Sequence, residues 1–165
     1  MEYQISKMEE KDWEQVRDIF IQGIQTGNAT FDTDAPSWEE WDRGHIHACR
    51  LVVSNGEKLL GWAALSQVSS RRAFAGIAEL SIYLSVDSVG KGIGSKLIQA
   101  VIESSEAAGF WTLQSGIFPE NTASIHLHKK VGFREIGVRK QLGKMNGRWR
   151  DVVMMERRSE IVGIE

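Results

Sequence analysis

The chemistry-bearing feature that stands out first is a glycine turn, DSVGKGIG at residues 87–94, set between an apolar strand-like run and an amphipathic helix-like run. A helix N-terminus presents unpaired N–H groups and a partial positive charge, so it attracts anions. Gly90, Gly92 and Gly94 would let the backbone approach a bulky phosphate and adopt φ values closed to other residues. Lys91 and Lys96 can add charge at the rim, and Ile93 and Ser95 complete the turn. A purely structural turn has the same composition, so spacing must decide between ligands. The phosphate loop G-x-x-x-x-G-K-[ST] is not supplied by Gly90 through Lys96. The dinucleotide fingerprint G-x-G-x-x-G lacks its third glycine, because Ser95 stands three residues after Gly92, and the turn comes mid-chain after a hairpin.

Three further groups of residues can do chemistry. Glu79 lies in an otherwise apolar strand, ten residues before Val89. It is either an outward or ion-paired glutamate, with Arg71 or Arg72 as partner, or a base. Asn121, Ser124 and His128 recur at i, i+3 and i+7, on one helix face beside an apolar face of Ala123, Leu127 and Val131. Such a polar stripe is either solvated surface or the lining of a site. The pair Arg71 and Arg72 in SSRRAF offers guanidinium groups suited to a bidentate grip on a carboxylate. His45 and His47 are two residues apart with no metal-ligand pattern around them, so no metal site is expected.

The elements that must position these groups follow from periodicity. MEYQISKM reads as a first strand, and residues 9–27 as a helix with Trp13, Val16, Ile19 or Phe20 and Ile24 inward, stopping at Gly27. After a loop, Pro36-Ser37 opens a short helix. RLVVSN and KLLGWAALSQV are two strands joined at Asn55-Gly56 as a tight hairpin. IAELSIYLSV is a longer strand with Ile77, Leu80, Ile82 and Leu84 as its apolar positions. The helix after the glycine turn carries Ile93, Leu97, Ile98, Val101 and Ile102 on one face and ends at Gly109. FWTLQSGIF is a strand, NTASIHLHKKVG a helix ended by Gly132, and residues 133–158 a pair of strands joined around Asn146-Gly147. The order predicts a mixed α/β architecture in one domain over residues 1–165.

Composition bounds the function. With 42% hydrophobic and 25% charged residues the chain is of ordinary globular type. A formal charge of −2 argues against a nucleic-acid footprint, and no run is long and apolar enough to suggest a membrane partner. The acidic start has no apolar targeting core, so a cytoplasmic location is the expectation. The one cysteine, Cys49 in the strand entry ACRLVV, is expected to be a small buried hydrophobe rather than a nucleophile.

Several segments together resemble a known family. IAELSIYLSVDSVGKGIGSKLIQAVI is similar to the acetyl-CoA-binding motif of the GNAT N-acetyltransferases, whose turn reads [RQ]-x-x-G-x-[GA], and NTASIHLHKKVGF is similar to their later N-x-x-[AS]-x-x-L-Y-x-x-x-G-F helix. NATFDTDAPSWEE, RRAF and GKMNGRWRDVVMMER resemble the phosphinothricin and methionine sulfoximine acetyltransferase branch. The resemblance implies a GNAT fold, a mixed, mostly antiparallel sheet flanked by helices. It also implies acetyl-CoA as donor, no metal, a homodimer, and direct acetyl transfer to the α-amine of a small amino-acid-like acceptor. By resemblance, Glu79 binds or deprotonates the amine, and His128, where most of the superfamily has Tyr, protonates the departing thiolate. Ile82, Tyr83, Leu84, Gly90, Lys91, Gly92, Ile93, Gly94, Ser95, Asn121 and Ser124 would hold the donor. Phe31, Arg71, Arg72, Phe74, Leu80 and Ser81 would line the acceptor site with Glu79, Arg72 gripping the carboxylate. By resemblance Trp149 is a second candidate wall of that site beside Phe31, with core packing the expected role. Val89 departs from the Arg or Gln of the motif, so the turn is expected to grip phosphate mainly through backbone amides. The alternatives are another amine (a polyamine, an antibiotic or a protein amine) or a non-catalytic acyl-CoA-binding domain.

Overall fold

The computed structural model describes residues 2–165. Seven strands form a single sheet in the order β1-β2-β3-β4-β5-β7-β6. They are β1 (Gln4–Lys7), β2 (Leu51–Asn55), β3 (Lys58–Gln67), β4 (Ile77–Leu84), β5 (Thr112–Ile117), β6 (Arg134–Met145) and β7 (Arg148–Arg158). Every neighbouring pair is antiparallel except β4 and β5, which are parallel. The mixed, mostly antiparallel sheet flanked by helices is therefore present. The first strand is shorter than expected, and Met1, included in that reading, lies outside the described residues.

The helices are α1 (Trp13–Thr26), α2 (Trp38–Gly44), α3 (Ile93–Ala107) and α4 (Thr122–Lys130). On one face of the sheet, Val16, Ile19 and Phe20 of α1 and Trp41 of α2 pack on Val52, Trp62 and Ala64. On the other, Leu97, Ile98, Val101 and Ile102 of α3 pack on Val53, Leu65, Ala78, Leu80 and Leu113. The alternation in β4 is thus Ala78, Leu80, Ile82 and Leu84 toward α3. Ile77, expected among the inward positions, is out of phase with that set and Ala78 takes its place, as a period of two requires.

Local chemistry ends the elements where the sequence predicted. Ser37 caps α2 in a capping box with Glu40. Gly27 closes α1 at φ 74°. Asn146 and Gly147, both at positive φ, join β6 to β7 in a two-residue turn. Cys49 precedes β2 instead of entering it, in a left-handed conformation, and is 3% exposed with its thiol pushed up by burial. Arg50 beside it pairs with Asp42 at 2.6 Å and donates to the carbonyls of Asp42, His45 and Ile46, which fixes the α2–β2 connection. Trp149 corrects another expectation. It is 56% exposed on β7, with the Lys144 ammonium 5.9 Å from its ring centroid, because it stands at the turn end of the β6–β7 hairpin, beyond Val153 and Met155, where the core begins.

One pairing shapes the middle of the sheet. β4 and β5 pair only at Ile77–Thr112, Ala78–Leu113 and Glu79–Gln114. Beyond that point β4 continues to Leu84 against β3, while β5 continues to Ile117 against β7. The two strands part after Glu79, and each keeps one edge without a ladder partner.

The closed end of this split is set by Gly76, whose carbonyl accepts from the Trp111 and Thr112 N–H groups at 2.8 and 3.1 Å. A Cβ at Gly76 would lie 2.0 Å from the Trp111 ring, so only glycine fits. Gly76→Ala is expected to destabilise the protein by about 1–3 kcal/mol through overpacking. Urea unfolding followed by tryptophan fluorescence measures this, and an unchanged midpoint would show that the Trp111 contact is not limiting.

Candidate functional site

A cavity of about 540 Å³ occupies the split between β4 and β5 and is lined from both faces of the sheet. Phe20, Trp41, Trp62 and Tyr83 wall it on the side of α1 and α2, and Asn121, Ser124 and His128 of α4 on the other. A cavity that runs through a sheet needs a gap between strands, and the early end of the β4–β5 ladder provides it. Glu79 sits at the vertex of that gap, the last residue of β4 to pair with β5.

The alternation along β4 puts Glu79, Ser81 and Tyr83 on the face opposite the α3 core, with Ser66, Ala64 and Trp62 beside them on β3. Tyr83 stacks on Trp62 with ring centroids 5.0 Å apart and meets Phe20 edge-on at 5.0 Å. Burial pushes its phenol up to about 12, and the charges of Asp32 and Glu79 add to that rise. Tyr83 is therefore a neutral phenol at physiological pH, near two carboxylates.

His128 is 2% exposed, and both ring nitrogens are engaged. Nδ1 lies 2.7 Å from the Ser124 carbonyl and Nε2 3.0 Å from the Ser115 hydroxyl. A carbonyl can only accept, so Nδ1 carries a proton, and in the neutral ring Nε2 accepts from Ser115. Burial holds the imidazole below its ordinary value of 6.5, with the Ser124 carbonyl pulling weakly the other way. The edge of Phe133 packs on the ring at 4.9 Å. His128 is thus a buried, hydrogen-bonded part of the cavity wall, with Asn121 and Ser124 half-buried beside it, and Ser115 of β5 bonds its ring from the facing strand.

Asn121 caps α4 by accepting from the Ser124 N–H at 3.3 Å, which leaves its NH₂ group free. Phe31 meets Phe118 edge-on at 4.8 Å in the cavity wall. Leu80, Ser81 and Ile82 join the lining from β4. Leu84 does not. It packs instead under Gly94, where a Cβ would be 3.2 Å from Leu84 Cδ1 and 2.9 Å from Leu127. Gly94 is therefore required by helix packing. Gly90 and Gly92 differ from it, lying at φ 80° and 79° with open space where a side chain would stand. No side chain caps the start of α3, so the first-turn N–H groups around Lys91, Ile93 and Ser95 are available to an anion.

The residues of SSRRAF lie elsewhere. Arg71, Arg72 and Phe74 are outside the cavity lining, and the Arg71 guanidinium rests 5.0 Å from the Phe74 ring centroid at the surface. They fall in a polar connection with a short 3₁₀ turn, Arg72–Phe74, which ends before β4 begins. The guanidinium in the lining is Arg139, from β6. Its register partner Val152 points into the same space, and an irregularity in β6 between Arg139 and Gly143 follows directly.

Asp32, which sequence reasoning passed over, and His45, which it weighed only as a metal ligand, both line the cavity. His45 stacks on Trp41 at 4.1 Å and donates from Nδ1 to the Trp41 carbonyl at 2.7 Å. Burial, aided by the Arg50 charge, keeps its ring neutral by holding its pKa down against that carbonyl. The four-residue spacing from Trp41 to His45 was a readable signal for this stack.

The unfolded chain binds a proton on histidine near the ordinary value, whereas folded His128 binds it at lower pH. The unfolded state therefore takes up more protons as pH falls through that window, and stability declines on acidification. Side-chain nitrogen NMR is expected to show His128 as the Nδ1–H tautomer, titrating below 6.5. A midpoint above that value, or an Nε2–H tautomer, would contradict this environment.

The fold agrees with what this chain is similar to. The Acetyltransferase (GNAT) domain model matches residues 5–154. Over 164 residues, 94% of this chain and 96% of the relative, it is 30% identical to phosphinothricin N-acetyltransferase of Streptomyces coelicolor. It is 37% identical over 107 residues to L-methionine sulfoximine/L-methionine sulfone acetyltransferase of Pseudomonas aeruginosa, a match spanning 64% of this chain and 62% of that relative's length. A crystal structure of a GNAT superfamily phosphinothricin acetyltransferase from Sinorhizobium meliloti in complex with acetyl-CoA superposes with a TM-score of 0.84 at 27% identity, covering 99% of this chain and 97% of that one. With the domain matched from β1 to β7, the chain belongs to the GNAT acetyltransferase family.

Proposed function

We propose that this protein is an acetyl-CoA-dependent N-acetyltransferase that acts by direct transfer on the α-amine of a small amino acid or analogue of the phosphinothricin, methionine sulfoximine or methionine sulfone type. The observation that carries this reading is Glu79 at the vertex of the β4–β5 split, inside a cavity that joins both faces of the sheet. Amine acetylation requires a neutral amine, a polarised carbonyl and a proton for the departing thiolate.

Acetyl-CoA supplies an activated acetyl thioester. The uncapped start of α3, with the open backbone at Gly90 and Gly92 and the Lys91 ammonium, suits its pyrophosphate. The unpaired edge of β4 at Ile82 and Tyr83 suits an extended amide-bearing arm, which would add to the sheet as a strand does. The free NH₂ of Asn121 and the Ser124 hydroxyl border the same gap. Glu79 accepts the proton that the acceptor's ammonium must lose. His128 supplies the sulfur's proton through the Ser115 hydroxyl. Because its neutral ring carries a proton only on Nδ1, it must first receive the proton that the amine gives up. Phe31, Leu80 and Ser81 wall the acceptor. The acceptor's acidic end faces Arg139 in this reading, instead of Arg72, since Arg139 is the guanidinium in the lining. Cys49 is outside the lining, consistent with transfer without an acyl-enzyme.

A homodimer belongs to the same reading. β6 is an outer strand exposed along nearly its whole length, with Ile136, Val138 and Leu142 uncovered, and such an edge invites pairing. Because acetyl-CoA is an intracellular thioester, the place of action is the cytoplasm.

A thiol-release assay across amino-acid analogues, polyamines and peptides tests the acceptor class. Turnover is expected with phosphinothricin or methionine sulfone, and turnover confined to polyamines or peptides would overturn the assignment. Acetyl-CoA binding with no turnover on any amine would instead indicate a binding module. Glu79→Gln is expected to lower kcat about a hundredfold with the acetyl-CoA KM unchanged. Arg139→Leu should raise the acceptor KM while Arg72→Ala leaves it alone, and the reverse pattern would return the carboxylate role to Arg72. Sedimentation should give twice the chain's mass, and a monomer at assay concentration would remove the dimer.

A further inference from the structure

Arg150 on β7 is 5% exposed, and it does not line the cavity. A buried guanidinium is costly unless its donors are matched, so its partners show what the position demands. Nη1 donates to the Gly27 carbonyl at 2.9 Å. Nη2 donates to Asn28 Oδ1 at 2.8 Å and to Glu120 Oε1 at 3.1 Å. Its carbon stands 4.0 Å from the centroid of the Phe118 ring. These four partners belong to two segments far apart in sequence. Gly27 and Asn28 begin the connection from α1 to α2, while Phe118 and Glu120 lie in the connection from β5 to α4.

Both segments are walls of the cavity. Asn28, Ala29, Thr30, Phe31 and Asp32 line it from one side, and Phe118 and Asn121 from the other. The local bonds of the first segment are short-range: the Asn28 N–H to Thr26 Oγ1 and the Asp32 N–H to Thr30 Oγ1. From the sheet, the Tyr83 hydroxyl reaches the Ala29 carbonyl at a long 3.5 Å. The Arg150 fork adds shorter bonds at the start of the segment, and Phe31 completes the junction. Phe31 packs on Phe118, and opposite Arg150 on β6 it leaves no room for a Cβ at Gly143, which would fall 2.8 Å from its ring. The negative end of the α1 dipole, at Gly27, also favours a cation there.

We infer that Arg150 is a positioning residue for the acceptor pocket, joining the 27–32 segment to the 118–120 segment so that Phe31, Asp32 and Phe118 stand where the acceptor's side chain must fit. It touches neither substrate and acts through the walls. The donor residues on α3 and β4 are not among its partners, and Asn121, whose N–H donates to the Phe118 carbonyl at 2.9 Å, is the donor residue next to this junction, so the main effect falls on the acceptor side. A planar fork can serve three acceptors at once, and a lysine ammonium on a flexible stem cannot reproduce that geometry.

This inference rests on the acceptor reading proposed above, and the test separates the two. Arg150→Met and Arg150→Lys are compared with Asn28→Ala and Glu120→Gln for acceptor KM, acetyl-CoA KM and kcat in the thiol-release assay, and for amide hydrogen exchange of residues 27–32. Arg150→Met is expected to raise the acceptor KM about tenfold, with the acetyl-CoA KM unchanged, because small misplacements of binding groups carry large penalties. Arg150→Lys should recover only part of this, and Asn28→Ala should add little on top of Arg150→Met, since both break the same junction. Glu120→Gln, which keeps an acceptor oxygen, should stay near the parent. Exchange of residues 27–32 should accelerate in Arg150→Met while the core of α3 stays protected, which distinguishes a loosened wall from global unfolding. Unchanged exchange would overturn the junction, and equal rises in both KM values would overturn its restriction to the acceptor side. Failure of the acceptor reading looks different: the unmodified protein itself would turn over no carboxylate-bearing amine.

Discussion

The β4–β5 ladder ends after three residue pairs, and everything at the site depends on that ending. Each strand has its other edge occupied, β4 by β3 and β5 by β7, so neither can swing back to close the gap without losing a full antiparallel ladder. The closed end is equally fixed, because the Gly76 carbonyl holds two N–H groups of the incoming strand under the Trp111 ring. Buried backbone polar groups without partners are costly, so a gap of this kind persists only where a ligand or water satisfies the edges. The sheet thus carries open strand edges that suit an extended polar partner, and α3, the helix that follows β4, begins without a side-chain cap.

The charged groups divide into two kinds by what surrounds them. Arg50 and Arg150 are buried, with four and three hydrogen bonds respectively, and both tie connections to the sheet: Arg50 the one after α2, Arg150 the one after α1. Glu79, Asp32 and Arg139 line the cavity and have no ion-pair partner among the described residues. Buried arginines that only hold loops and lining charges left unpaired are complementary arrangements. The first kind removes the freedom of the walls, and the second keeps its interaction energy for what enters.

Much of the architecture was legible in the sequence because it rests on local rules. The helical spacing of Val16, Ile19 and Phe20, the Ser37–Glu40 capping box and the Asn146-Gly147 turn are all settled within a few residues. Glu79, His128 and Asn121 were also legible, each standing out from its own element. The early end of the β4–β5 ladder was not, since it is a property of strand pairing and both strands continue in sequence without interruption. The arginines show the same limit. Arg71 and Arg72 lie near Glu79 in sequence yet outside the lining, whereas Arg139 comes from a strand sixty residues later, brought in by its register with Val152. Gly94 shows it in reverse, for its place in a phosphate-like motif concealed a packing role against Leu84 and Leu127.

His128 shows how far composition alone can mislead about chemistry. A histidine on a polar helix stripe suggests a solvent-facing acid near its ordinary pKa, but the fold buries it against Phe133 and commits Nδ1 to a carbonyl. In the proposed reaction the nitrogen left for proton transfer is Nε2, which bonds the Ser115 hydroxyl at 3.0 Å. The depressed basicity then works in favour of a proton relay, because a ring that holds its second proton weakly returns it readily to a more basic thiolate. A permanently charged imidazolium at that depth would need a carboxylate partner, and none is bonded to the ring. In the proposed reaction, the same burial that makes His128 a poor resting acid would make it a transient proton carrier, with the Ser115 hydroxyl as the partner of its Nε2.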